Sequence, residues 1–201
     1  MVIASYKSMI YGQLGEVTAI AKMVNEQQIR GLGKVIAGHG YSDDVLAVIA
    51  HKHFNLADNE AMLETTVGDA RISKPAELSM IDASNAKPNL ISCNGDNTWY
   101  PVSFDAESKK MPKAFTDIEF LQNVSTYLMQ NNLQDKLLLA ARGKNLKDDV
   151  QYVERNDCAT RTSEVKQSNE GDGVKTTYKF SCDPEGGITA NVACVCAVCQ
   201  G

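Results

Sequence analysis

No run in this chain approaches the ~18 consecutive apolar residues that a membrane-crossing helix needs. No charged leader followed by an apolar stretch opens the chain either. The expectation is a protein without a membrane partner, cytoplasmic, or secreted if a leader has been removed. Basic residues never cluster beyond pairs such as Lys109-Lys110, and the formal net charge is −5. Nucleic-acid binding needs a concentrated basic surface to neutralise phosphates, so no nucleic-acid partner is expected. Phosphate-cradling loops are missing too. Gly31, Gly33 and Gly38 follow no strand-like run and lead to no Gly-Lys-Ser/Thr ending, so no nucleotide cofactor is expected.

What is present is an ordinary globular composition. With 43% apolar and 22% charged residues over 201 positions, the chain can bury a core without metal or disulfides. One domain spanning 1–201 is expected. Residues 15–37 carry a loose 3.6-residue apolar periodicity and read as helix, in one or two pieces, with a break or close packing at Gly31 and Gly33. The run 45–54 reads as a strand, 55–59 as a hairpin connection and 60–67 as its partner. Residues 68–97 read as a long connection with one short strand near 89–92, and 99–104 as a further strand. Thr116-Asp117-Ile118-Glu119 has the spacing of a capping box and starts a helix, followed by a second helical segment over 133–142. Four strand-like stretches follow at 150–154, 160–165, 174–181 and 188–195. Helices and strands in blocks favour an α+β domain: an antiparallel sheet with an N-terminal helix and a central helical pair.

The sharpest chemical feature is His51-Lys52-His53, two of only three histidines in the chain. On a strand, residues two apart point to the same face, so both imidazoles could grip one ion. Glu60, returning on a hairpin partner, would then be the third ligand. Two imidazoles and a carboxylate suit zinc, iron or copper and leave positions open for water or a small-molecule ligand. The alternative is a hairpin whose polar face holds no ion. Cys158, Cys182, Cys194, Cys196 and Cys199 gather toward the C-terminus as a second group, readable as reduced thiols, as disulfides or as a second metal site. Cys93 with His39 or His51 as base would make a nucleophile, and His39 with Asp44 has an acyl-transferase spacing, though both also read as inert turn and core residues. Two functions follow. One is a small metal-binding protein, an enzyme on a small organic molecule if the ion is catalytic. The other is a non-catalytic binding or secreted interaction protein held by disulfides; beside both stands a cytosolic structural or scaffold domain with neither metal nor disulfide.

The pattern His51-x-His53-x6-Glu60-x7-Gly68 resembles the first motif of the cupins, which implies two His and a Glu binding a metal on adjacent strands of a small β-barrel. The gap to Glu60 is longer than in that family, and no histidine follows His53 to supply a fourth ligand. The segment Val48-Ile49-Ala50-His51-Lys52-His53-Phe54, with Leu56, Glu60 and Met62-Leu63-Glu64 after it, also looks like a group of uncharacterised proteins from filamentous fungi. Those proteins share a cysteine-containing C-terminus. That likeness implies a fungal origin and no particular activity.

Overall fold

The computed structural model describes residues 3–81, 86–143, 146–168 and 172–197. In chain order its strands are β1 (Val45–Ile49), β2 (Glu60–Val67), β3 (Ala70–Glu77), β4 (Lys87–Cys93), β5 (Trp99–Asp105), β6 (Leu137–Ala141), β7 (Tyr152–Asp157), β8 (Thr162–Gln167), β9 (Val174–Cys182) and β10 (Ile188–Cys196). They close into one barrel in the order β1, β6, β4, β5, β2, β3, β8, β7, β10, β9, and back to β1. Neighbours run antiparallel except β2 with β5 and β7 with β10. Closure removes every unpaired sheet edge.

The apolar run of β1 explains its place. Val45, Ala47 and Ile49 pack outward against helices, while Leu46 and Val48 line the barrel interior. A strand buried on both faces reads as a continuous apolar run rather than an alternating one. Outside the wall lie α3 (Glu26–Gly38) and α4 (Ile118–Gln130), with the single-turn helices α1 (Ser8–Gly12) and α2 (Val17–Ala21) before them. Leu32 and Ile36 of α3 and Phe120, Leu121 and Leu128 of α4 share a fully buried cluster with Ile49, Ile91, Trp99 and Leu139. A capping box does occur, but at α3: Asn25 accepts from the Gln28 N–H while the Gln28 side chain accepts from the Asn25 N–H. α4 begins one residue later than the sequence suggests. Asp117 caps it by accepting from the Phe120 N–H, and the Thr116 hydroxyl donates to the Lys113 carbonyl instead. Gly31 and Gly33 mark close packing, not a break. A Cβ at either would overlap the Tyr127 and Phe180 rings respectively.

Several expectations are corrected here. The fold is not an α+β domain with an open antiparallel sheet, because a closed ten-stranded barrel takes up 39% of the described residues as strand against 23% helix. The 45–54 and 60–67 strands form no hairpin: β1 pairs with β6 and β9, and β2 with β3 and β5. The central helical pair is one helix, since the second segment is a turn followed by β6. Leu137-Leu138-Leu139-Ala140-Ala141 has high intrinsic helix propensity. Yet the run sits between β1 and β4 with Leu137 and Leu139 in the outer core and Leu138 in the inner one, and burial on both faces decides. The long connection at 68–97 contains β3 and β4. No helix among the described residues is long and apolar enough to cross a membrane.

Candidate metal centre

Parallel pairing of β10 with β7 sets Cys196 level with Glu154. Both face inward, and the Ser163 hydroxyl of neighbouring β8 donates to Glu154 Oε1 at 2.7 Å. β1 stops at Ile49, so the two histidines lie just past the strand end and not on it. The N-terminal segment pins them there. His51 forms an isolated bridge with Gly15, the Lys52 N–H donates to the Gly15 carbonyl, and the Lys52 ammonium donates to the Gly12 carbonyl. Tyr11 and Leu14 pack beside them on Met62, Val102 and Leu138.

A carbonyl only accepts, so the 2.7 Å contact of His51 Nδ1 with Ile49 O places a proton on Nδ1. Nε2 is left facing Glu154 Oε2 at 3.5 Å. His53 Nε2 stands 3.2 Å from Glu154 Oε1 and 3.9 Å from Cys196 Sγ. The two rings are 4.7 Å apart and nearly perpendicular, at 80°. One donor atom from each of His51, His53, Glu154 and Cys196 lies within 4.8 Å of all the others. Tetrahedral zinc, with bonds of about 2.0–2.3 Å, sets its ligand atoms about 3.3–3.8 Å from one another. Three of the gaps, 3.2 Å and 3.5 Å to the two Glu154 oxygens and 3.9 Å from His53 to Cys196, are close to that spacing, while the set with one donor atom per residue is looser, within 4.8 Å. The side chains of His51, His53 and Glu154 expose only 6%, 11% and 18% of their surface, so the group is enclosed.

Electrostatics knit the group. Burial pushes the Glu154 carboxyl up, but the hydrogen bonds and charges of His51 and His53 outweigh it and hold the group well below the usual carboxylate range. Burial likewise pushes His51 down, and Glu154 outweighs that, raising the imidazole above its ordinary value. Burial and then the Glu154 charge push the Cys194 thiol up to about 12 and hold the Tyr11 phenol above its usual range. Asn156, two residues on from Glu154, donates from Nδ2 to Cys196 Sγ at 3.6 Å.

His51 and His53 are thus brought together as the sequence suggested. Glu60 is not brought to them. Its strand is not a neighbour of β1, and its carboxylate accepts from both Arg161 Nη1 and Nη2 at 2.7 Å and from the Ala57 N–H at 2.9 Å. The Arg161 guanidinium, followed by that backbone N–H, holds Glu60 down at about 2. A depressed carboxylate stabilises the fold above its unfolded pKa of about 4.3, and the contribution is lost as pH falls toward 2. Glu60→Gln is therefore expected to lower stability slightly at pH 7, with the deficit shrinking below pH 4 and metal uptake unchanged. Urea melts at the two pH values, with metal analysis, check this.

The cysteines separate. Cys196 joins the histidines, and Cys194 lines the interior cavity. Cys158 lies exposed in the turn after β7, and Cys182 exposed at the far end of β9; Cys199 falls outside the described residues. Among the described residues no disulfide joins two cysteines. Cys93 is sealed in the outer core, where burial pushes its thiol up to about 12, far from nucleophilic form. The His39 ring meets Asn123 Nδ2 at 2.9 Å and the edge of Phe120. Sequence reasoning missed Glu154 because the residue stands some hundred positions from the histidines. Its one signal was a carboxylate at an inward position of a strand, between Tyr152 and Asn156. No family model matches the chain, and no curated protein or solved structure is significantly similar to it.

Proposed function

We propose that this chain binds one transition metal ion (zinc, iron or copper) through His51 Nε2, His53 Nε2 and the Glu154 carboxylate, with Cys196 Sγ as fourth donor. One observation carries the reading: an enclosed carboxylate flanked by two imidazole Nε2 atoms and a thiol, with the other nitrogen of His51 already committed to a backbone carbonyl. Such outer hydrogen bonds fix the tautomer and aim the ligand, as the Ser163 and Asn156 contacts do for Glu154 and Cys196. Mixed imidazole, carboxylate and thiol donors suit these three metals. An interior cavity of about 140 Å³ shares His51, His53 and Glu154 as lining, which favours a small organic molecule as partner; four protein donors make a closed tetrahedral set, so Lewis-acid chemistry on that molecule requires Cys196 to yield its position on the ion. The alternative of a disulfide-held binding protein has no bonded cysteine pair among the described residues to support it.

The test uses protein purified without a histidine tag and equilibrated with zinc. Elemental analysis should find one equivalent per chain, lost in the His51→Ala/His53→Ala double variant while circular dichroism stays native. A well-folded wild-type protein that takes up no ion contradicts the proposal.

A further inference from the structure

The cavity beside the histidines carries a second set of groups. Across the wall Cys196 pairs with Glu154, Glu154 with Val165, and Val165 with Arg71. Arg71 therefore enters the inward row of the metal centre two strands from Glu154, about 10 Å along the wall. Val165, Glu154 and Arg71 all line the cavity. A guanidinium has five N–H donors. Among the described residues, the hydrogen-bonding partner of this one is Glu64 Oε1, at a long 3.4 Å. Nearby polar groups are already engaged, since the Ser103 hydroxyl donates to Asn89 Oδ1 at 2.6 Å. Other parts of the lining are apolar: Leu46, Val48, Leu90, Val102 and Leu138. An apolar cavity of about 150 Å³ holds benzene. One of about 140 Å³ with a polar end therefore suits a molecule of compact body and a single polar head.

We infer that this cavity binds a small monocarboxylate with a compact apolar body, its carboxylate on the Arg71 guanidinium and its body against Leu46, Val48 and Leu138. Arginine's planar fork matches a carboxylate in geometry as well as charge. The inference rests on the metal reading, because Glu64 and Glu154 otherwise set two carboxylates in the lumen against one arginine. An ion on His51, His53 and Glu154 neutralises the farther of them, leaving Arg71 faced by Glu64 alone, at 3.4 Å.

Calorimetric titration with benzoate, and with benzyl alcohol as an uncharged analogue of similar size, tests this on zinc-loaded and zinc-stripped protein. On the loaded protein benzoate should bind about tenfold tighter or more, the worth of one charge-assisted hydrogen bond. That preference should collapse in Arg71→Gln. Equal affinities, no binding, or benzoate binding undiminished by zinc removal would each overturn the inference. Zinc uptake without a preference for benzoate sinks this inference alone, whereas absence of zinc uptake sinks the metal reading and this one with it. The wild-type comparison of the two probes stands even if Arg71→Gln fails to fold.

Discussion

Glu154→Gln is expected to lower zinc affinity by at least about a hundredfold, because loss of a mere outer partner of a ligand already costs about 10–100-fold. The substitution keeps the shape of the side chain and its hydrogen bond from Ser163, but removes the charge that both imidazoles face. Competition against a chelator of known affinity reads the change directly, and an unaltered affinity would remove Glu154 from the ligand set. The pH behaviour separates the two states of the site. Without metal, the raised pKa of His51 means its pairing stabilises the fold fully below the unfolded imidazole value of about 6.5 and is lost as pH rises through the folded value. The lowered pKa of Glu154 contributes above about 4.3 and is lost as pH falls through its folded value. The metal-free pair therefore helps most between about pH 4.3 and 6.5. Zinc requires neutral imidazoles, so the stabilisation it adds should grow with rising pH across that window. Melting temperatures with and without zinc, taken from pH 5 to 8, check the sign.

Trp99→Ala should destabilise the protein by about 3–5 kcal/mol, the usual cost of truncating a buried tryptophan. Trp99 is fully buried where β5 meets α4, and its indole N–H donates to the Leu121 carbonyl at 3.3 Å. Truncation leaves a large void among Ile91, Phe120 and Leu121 and removes the indole's hydrogen bond to that carbonyl, which keeps its partner within α4. A urea midpoint lowered with little change in slope is the expected readout. Trp99 lies outside the metal group, so the folded fraction should still take up one ion per chain. A loss below about 1 kcal/mol would show that the α4 layer does not hold the barrel as described.

The C-terminal strands, with β2 and β5, were the legible part of the fold. β7 to β10 fall within a few residues of the stretches read from the sequence, because their alternation is punctuated by turn residues such as Gly186, whose φ is +82°. The pairing of those strands was not legible. β7 and β10 run parallel across some forty residues, and no local pattern announces a parallel partner. That pairing is what lifts Glu154 and Cys196 to the histidines, so the site could be read only by half. His51 and His53 stood out by spacing alone, whereas Glu60 was attractive because residues 55–59 resemble a hairpin turn. What defeats the hairpin is distant: the edges of β1 are already taken by β6 and β9. In β6 the same competition runs the other way, with helix-forming residues drawn into a strand by the two faces they must bury.

The most direct measurement is anomalous diffraction at the zinc absorption edge from crystals grown with one equivalent of the metal. The structure predicts a single strong peak per chain within bonding distance of His51 Nε2, His53 Nε2 and a Glu154 oxygen. A peak on Glu60 or on the exposed cysteines instead, or none at all, would contradict it.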